Sequence, residues 1–200
     1  MKLIFKEEVI QFDTQPTVEV IINTINQLLD DNYYFSHLII DDKEVLDDPE
    51  QYLQDYLNEI RELEIVAKTV KEFINDLLLS AEEYIRRAKP EIDSLSDEFY
   101  QNPTSESWHK FAQLLEGIQW LNQVIQTIDT TKEKPKNWVN YLEINSNFDL
   151  ELKNMEEAIE NSDSVLIADL IKYEILSIIE SLGSEIQLTI DTEGYRHDLN

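Results

Sequence analysis

The feature that most constrains the fold is a change in the spacing of apolar residues near position 69. Beyond it, apolar side chains recur every three or four residues, which places them on one face of an α-helix. The first such stripe contains Val70, Phe73, Ile74, Leu77, Leu78, Ala81, Tyr84, Ile85 and Ala88. Further stripes follow the break at Asn102-Pro103-Thr104 and the polar connector at 129–136. Residues 69–200 are therefore predicted to form an antiparallel helical bundle domain.

Before residue 69, short apolar runs alternate with helical spacing. Residues 2–6 and 9–12 are separated by two glutamates and predict a hairpin. A helical stripe over 18–29 precedes Tyr33–Ile40, which is rich in β-branched and aromatic residues. A short helix after Asp48-Pro49 leads to a last strand with alternating apolar residues. The predicted class is α+β, with a small sheet domain over 1–68.

The segment Leu38-Ile39-Ile40-Asp41-Asp42-Lys43-Glu44-Val45 resembles the strand–turn–strand segment of ubiquitin. Asp55-Tyr56, in the helix before Leu63-Glu64-Ile65-Val66, extends the likeness. This resemblance covers about a third of the chain and implies a ubiquitin-like β-grasp fold. It also implies that Ile39 and Val66 occupy two positions of ubiquitin's apolar recognition patch. The third position falls in a longer first hairpin that this chain lacks, and the C-terminal di-glycine is missing, so conjugation is not implied.

Within the predicted bundle, the segment 165–182 is apolar on nearly every side and is expected at the centre. Helical and strand spacing fit residues 185–191 equally well, so both remain open. Short helices are expected at 138–142 and at 148–160. The last ten residues are expected to fray.

The chain carries 42 acidic and 16 basic residues, a formal net charge of −26. Nucleic acids and anionic membranes bind proteins through clusters of Lys and Arg, so neither is expected as a partner. Cysteine is absent, which excludes disulfides and thiolate chemistry. No apolar run reaches the length of a transmembrane helix, and the first residues do not resemble a signal peptide. The expected location is cytoplasmic.

Candidate metal ligands occur, but in incomplete sets. Glu106 and His109 have the Glu-x-x-His spacing of di-iron helical proteins, yet no second copy occurs. The pairs Asp41-Asp42 and Asp47-Asp48 could hold Ca²⁺ weakly, although the EF-hand spacing and its glycine are absent. Helix capping and turn formation explain these acids equally well. We predict no metal and no cofactor.

Asp169 and Glu174 lie in the apolar stretch, where a buried carboxylate either pairs structurally or acts as a general acid. Trp108, Trp120 and Trp138 are the other prominent residues, since aromatic side chains serve as binding hot spots as well as core residues. Trp108 and Trp120 lie about 120° apart around one helix, so one of them is expected to point away from the core.

These patterns favour a non-enzymatic interaction protein, an adaptor or a chaperone-like binder, because no nucleophile or phosphate loop accompanies the carboxylates. The expected partner is another protein, and a homo-oligomer is compatible with the sequence. The candidate partner-binding residues are Ile39, Val66, Trp108, Trp120 and Trp138. The alternative is an enzyme that uses the carboxylates of helix 165–182 for acid–base chemistry.

Overall fold

The computed structural model describes residues 1–196 and is α+β, as the sequence predicts: a five-stranded sheet is followed by long helices. The chain divides into two compact units, Met1–Phe73 and the part that begins at Ile74. The sequence places this division at 68/69, whereas in the structure it falls in the first turn of helix α3 (Val70–Gln101).

The N-terminal unit is built on a mixed sheet. Its strands are β1 (Lys2–Phe5), β2 (Glu8–Gln11), β3 (Tyr33–Ile40), β4 (Lys43–Val45) and β5 (Glu62–Thr69). The strand order is β2-β1-β5-β3-β4, in which β1 and β5 are parallel and the other neighbouring pairs are antiparallel. Because side chains alternate along a strand, Leu3, Leu38 and Leu63 all reach the buried face. Helix α1 (Val18–Leu29) contributes Ile21 and Ile25 to the same core.

Two aspartates fix the loops of this unit. The Asp41 carboxylate accepts hydrogen bonds from the backbone N–H groups of Arg61 (3.2 Å) and Glu62 (2.9 Å), which ties the turn after β3 to the start of β5. Asp48 Oδ1 accepts from the backbone N–H of Gln51 at 3.1 Å and caps helix α2 (Pro49–Tyr56). Capping and turn formation therefore account for both carboxylates.

The second unit contains the remainder of α3, then α4 (Ser105–Asp129), α5 (Trp138–Glu160) and a last helix over 164–193. This last helix consists of α6 (Ser164–Asp169), a π-helical segment (Leu170–Ile175) and α7 (Leu176–Glu193). Residues 185–191 are therefore helical. Helix α5 is continuous, so the expectation of separate helices at 138–142 and 148–160 is wrong.

The helices follow one another in an antiparallel bundle. Lys172 Nζ lies 3.0 Å from Asp97 Oδ1 and Lys89 Nζ lies 2.8 Å from Glu180 Oε1, so α3 and the last helix run in opposite directions. Tyr141 of α5 shares a hydrogen bond of 2.7 Å with Thr189 of α7. Among the described residues, no helix combines the length and the apolar character that crossing a membrane requires.

The segment 165–182 is not buried on every side, so the expectation that it lies at the centre of the bundle is wrong. Val165, Leu166 and Tyr173 are exposed, whereas Ile171 and Ile175 are buried. The last helix thus buries one face instead of occupying the centre of the bundle.

The end of the described chain is held by α3. The Asn75 side chain donates to Tyr195 O at 2.9 Å and accepts from Tyr195 N at 3.0 Å. Arg196 forms a bidentate ion pair with Glu82, with N···O distances of 2.6 and 2.9 Å. The expected fraying is therefore wrong for 191–196, and residues 197–200 lie outside the described residues.

Candidate binding groove

Trp108 and Trp120, which the sequence singles out for partner binding, both lie on α4. Their exposed fractions are nearly equal, 38 % and 36 %, so both lie at the edge of the helical interface and neither points fully outward. Trp108 is edge-on to Phe99 of α3, with ring centroids 5.0 Å apart. Trp120 is edge-on to Tyr84 of α3, with ring centroids 5.4 Å apart and ring planes at 63°.

Trp138 belongs to the core, so the expectation that it contacts a partner is wrong. Only 6 % of it is exposed, its ring stacks on Tyr141, and its Nε1–H donates to Asp129 Oδ1 at 2.9 Å. The hydrogen bond joins the start of α5 to the end of α4, which explains why a tryptophan occupies this position.

Ile39 and Val66 lie on the outer face of the sheet, in the N-terminal unit. Ile39 is opposite Glu64, and Val66 is opposite His37 on the neighbouring strand. Both apolar side chains are half-buried. By this register the two are diagonal neighbours on adjacent strands, and the charged Glu64 lies beside both, two residues before Val66 on β5.

The groove that contains Trp120 runs between α3 and α4. It has two adjoining sections of about 500 and 390 Å³, which share Tyr84 and Gln113. The first section is lined by Ser80, Glu83, Tyr84, Arg87, Gln113, Glu116, Gly117 and Trp120. The second is lined by Tyr84, Ala88, Glu91, Ile92, Leu95, Glu106, His109, Lys110, Gln113 and Leu114. We call the two sections together the α3/α4 groove.

Gly117 makes the floor of the first section possible. A Cβ built on this residue would overlap the Tyr84 hydroxyl and lie 2.6 Å from Tyr84 Cζ, so any larger residue would displace the ring. Burial raises the pKa of Tyr84 above its ordinary value, and the phenol stays protonated at neutral pH. Within the described residues its hydroxyl makes no hydrogen bond. The groove therefore presents a neutral donor that a bound chain can use.

The charged side chains of the first section form few ion pairs within residues 1–196. Glu83 and Arg87 of α3 are one turn apart, with a 3.8 Å separation between Oε1 and Nε and both side chains well exposed. Such exposed pairs stabilise a helix by only about 0.3–0.5 kcal/mol. Glu116 is exposed and, within residues 1–196, makes neither an ion pair nor a hydrogen bond.

At the second section of the groove, the ion pair between Lys110 and Glu98 is shorter than the pair between Arg87 and Glu83. Lys110 Nζ donates to Glu98 Oε1 at 2.6 Å, which raises the pKa of Lys110 and lowers that of Glu98. Glu106 and His109 line this end. In the part of the chain that the structure describes, no group of three or more His, Cys, Asp or Glu residues could hold a metal ion.

The carboxylates considered for acid–base chemistry do not share a buried site. Glu174 is exposed, so the premise that it is buried is wrong. Asp169 is half-buried and accepts a hydrogen bond from the Tyr100 hydroxyl. This hydrogen bond, together with the neighbouring negative charge, raises the pKa of Tyr100 well above its ordinary value.

Two residues that shape the groove, Tyr84 and Gly117, are not singled out by the sequence reasoning. Tyr84 is part of the first helical stripe and is predicted there as an ordinary core residue. Gly117 is an isolated glycine within a helical pattern, and such a glycine usually marks a position where another part of the chain packs closely against the helix.

A family model described as a domain of unknown function, DUF8042, matches residues 76–185, which include both sides of the α3/α4 groove. No curated protein is significantly similar to the chain. No solved structure is significantly similar to it either. Because the family model covers more than half of the residues, the chain belongs to the DUF8042 family.

Proposed function

We propose that this protein is a non-enzymatic interaction module that binds another protein through the α3/α4 groove. The observation that carries the proposal is the solvent-open pair of Trp120 and Tyr84 above Gly117. Tryptophan and tyrosine are enriched among residues that dominate binding energy, because they bury a large area and lose little rotamer freedom.

The shape of the groove supports a protein ligand over a small metabolite. It is an open, elongated channel between two helices, whereas small-molecule sites are mostly apolar and enclose their ligand. Its lining mixes two aromatic rings with Gln113, Ser80 and several charges, as in the polar rim of a protein interface.

We propose further that residues 1–68 form a ubiquitin-like β-grasp domain. Its support is the strand order, with parallel β1 and β5 at the centre and a helix packed on one face. The outer surface at Ile39 and Val66 is then a second candidate for contact with a partner, which the experiment below separates from the groove. The absence of cysteine and the charge of −26 suit a cytoplasmic protein that binds neither nucleic acid nor membranes.

The enzyme hypothesis is weaker, because its two carboxylates are not both buried. Asp169 is engaged by Tyr100, and Glu174 is exposed to solvent. Neither carboxylate is fully buried.

The test is quantitative affinity purification of tagged chain expressed at its native level in its own host. Trp120→Ala should reduce the recovery of a stoichiometric partner at least tenfold, as expected for the loss of a hot-spot side chain. Leu142→Ala, which removes an exposed apolar residue of α5 outside the groove, is the matched control and should leave recovery unchanged. Equal recovery with Trp120→Ala would refute the groove, and loss only with Ile39→Ala would assign the partner to the sheet face.

A further inference from the structure

The first section of the α3/α4 groove has a chemistry that selects its occupant. Tyr84 and Trp120 meet at 63°, so their ring planes form a corner and do not stack on each other. Carboxylates stand on both sides of this corner, since Glu83 lines it from α3 and Glu116 from α4. Aromatic ring faces and carboxylates both attract cations.

We infer that the occupant is a basic segment of the partner protein, and that one of its Lys or Arg side chains enters this corner beside Glu116. The inference rests on the proposed function and adds the chemistry of the partner. The ammonium or guanidinium group would lie against the rings and donate to the Glu116 carboxylate, while its alkyl stem packs along the side of Trp120.

Glu116 is the residue that makes a cation the fitting occupant. Its charge is without an ion-pair partner in residues 1–196, and so it gains one only on binding. Arg87 also lines the section, but its contact with Glu83 is long and exposed, and the guanidinium can move aside with little cost.

The charge of the whole chain acts in the same direction. A formal charge of −26 attracts a basic segment and repels an acidic one over about 8–10 Å at physiological ionic strength. An apolar helix fits less well, because half of the residues that line this section carry a charged or amide side chain.

The test follows the three tryptophan indole N–H signals of the ¹⁵N-labelled full chain by NMR. The probe is a capped peptide, Lys-Gly-Lys-Gly-Lys, compared with the same peptide carrying norleucine or glutamate in place of lysine. The lysine peptide should shift the Trp120 signal in a saturable way. The signal of Trp138 should not move, because its indole is buried and hydrogen-bonded to Asp129.

Two charge-removing variants distinguish binding in the groove from general attraction to the negative charge of the chain. Glu116→Gln should lower the affinity for the lysine peptide about tenfold, the loss expected for one charge-assisted hydrogen bond. Glu143→Gln removes the same charge from an exposed position on α5 and should change the affinity less than twofold. Gly117→Ala, which displaces Tyr84, should abolish the Trp120 shift, and circular dichroism would confirm that the variant is folded.

Equal shifts with the norleucine peptide, or equal weakening by Glu116→Gln and Glu143→Gln, would overturn the inference. If Trp120→Ala loses a natural partner while the lysine peptide does not shift the Trp120 indole signal, the proposed function is supported and the inference of a basic occupant is refuted. If the peptide shifts the Trp120 signal but recovery of every natural partner is independent of Trp120, the proposed function is refuted.

Discussion

Replacing Gly117 with alanine adds one methyl group to α4 at the point where the Tyr84 hydroxyl rests against it. In an exposed helix interior, this exchange stabilises a protein by about 1 kcal/mol, because glycine has the poorest helix propensity after proline. Here the new Cβ would overlap the Tyr84 hydroxyl, so the ring must leave its place beside Trp120. An aromatic edge-to-face pair contributes about 0.5–1.5 kcal/mol beyond its buried area. The two effects oppose each other, and the expected net change in the free energy of unfolding is close to zero.

A double-mutant cycle separates these opposing effects. In a Tyr84→Ala background nothing occupies the space, so Gly117→Ala should stabilise the fold by about 1 kcal/mol. The difference between the two backgrounds, about 1 kcal/mol, is the coupling between Tyr84 and Gly117. Urea denaturation followed by far-UV circular dichroism measures all four proteins without depending on tryptophan emission.

A matched background makes the cycle specific. Leu142 lies on α5 outside the groove, so Gly117→Ala should have the same effect in Leu142→Ala as in the wild type. Equal stabilisation by Gly117→Ala in the wild-type and Tyr84→Ala backgrounds would refute the reasoning, because Tyr84 then could not occupy the space above Gly117.

Three further predictions concern the framework that holds the groove. Ile175→Ala should lower the free energy of unfolding by about 2–5 kcal/mol in urea melts, because this side chain is only 1 % exposed. Asn75→Ala should cost about 1–3 kcal/mol by leaving the backbone of Tyr195 without its two hydrogen bonds, and hydrogen exchange at Tyr195 should rise. Glu98→Gln should destabilise the fold at neutral pH, because Lys110 lowers the folded-state pKa of Glu98. The stabilisation by the ionised Glu98 is present above its unfolded-state pKa and is lost as the pH falls through its folded-state pKa. The free energies of unfolding of wild type and variant should therefore become equal in acid. A difference that stays constant down to low pH would contradict the pairing of Glu98 with Lys110.

The strands and the long helices could be predicted because each buries one face with the period of its secondary structure. Leu63 and Ile65 alternate with charged residues, and Ile118, Leu121 and Ile125 recur at helical spacing; both sets are buried in the structure. The spacing of α5 was harder to interpret. Asn145, Ser146 and Asn147 resemble a loop, yet Ile144 and Phe148 on either side are buried on one face of a continuous helix.

The exposure of Glu174 could not be predicted from a regular period. It lies in the π-helical segment, where the wider turn changes the angle between successive side chains. Ile171, Ile175 and Ile179 stay buried at four-residue intervals, and Glu174 lies outside this buried stripe. The burial of Trp138 is a separate case, because the fold brings Asp129 to its indole N–H at the junction of α4 and α5, and residue spacing does not reveal this contact.

The groove itself depends on the packing of two separate helices. Tyr84 and Gly117 are on α3 and α4, and only their close approach makes the floor on which Trp120 and Tyr84 meet. A sequence indicates that a helical glycine has a packing role but not which side chain lies over it.

The central claim is that the α3/α4 groove holds a partner protein, and site-specific photocrosslinking in living cells of the native host tests it most directly. Gln113 is exposed and lines both sections of the groove, so p-benzoylphenylalanine at this position would lie within reach of a bound chain. The same group at Val139, which is 73 % exposed on α5, is the control. We expect one partner to be crosslinked at position 113 and not at position 139, and to disappear with Trp120→Ala. No crosslink at 113, or the same products at both positions, would contradict the claim.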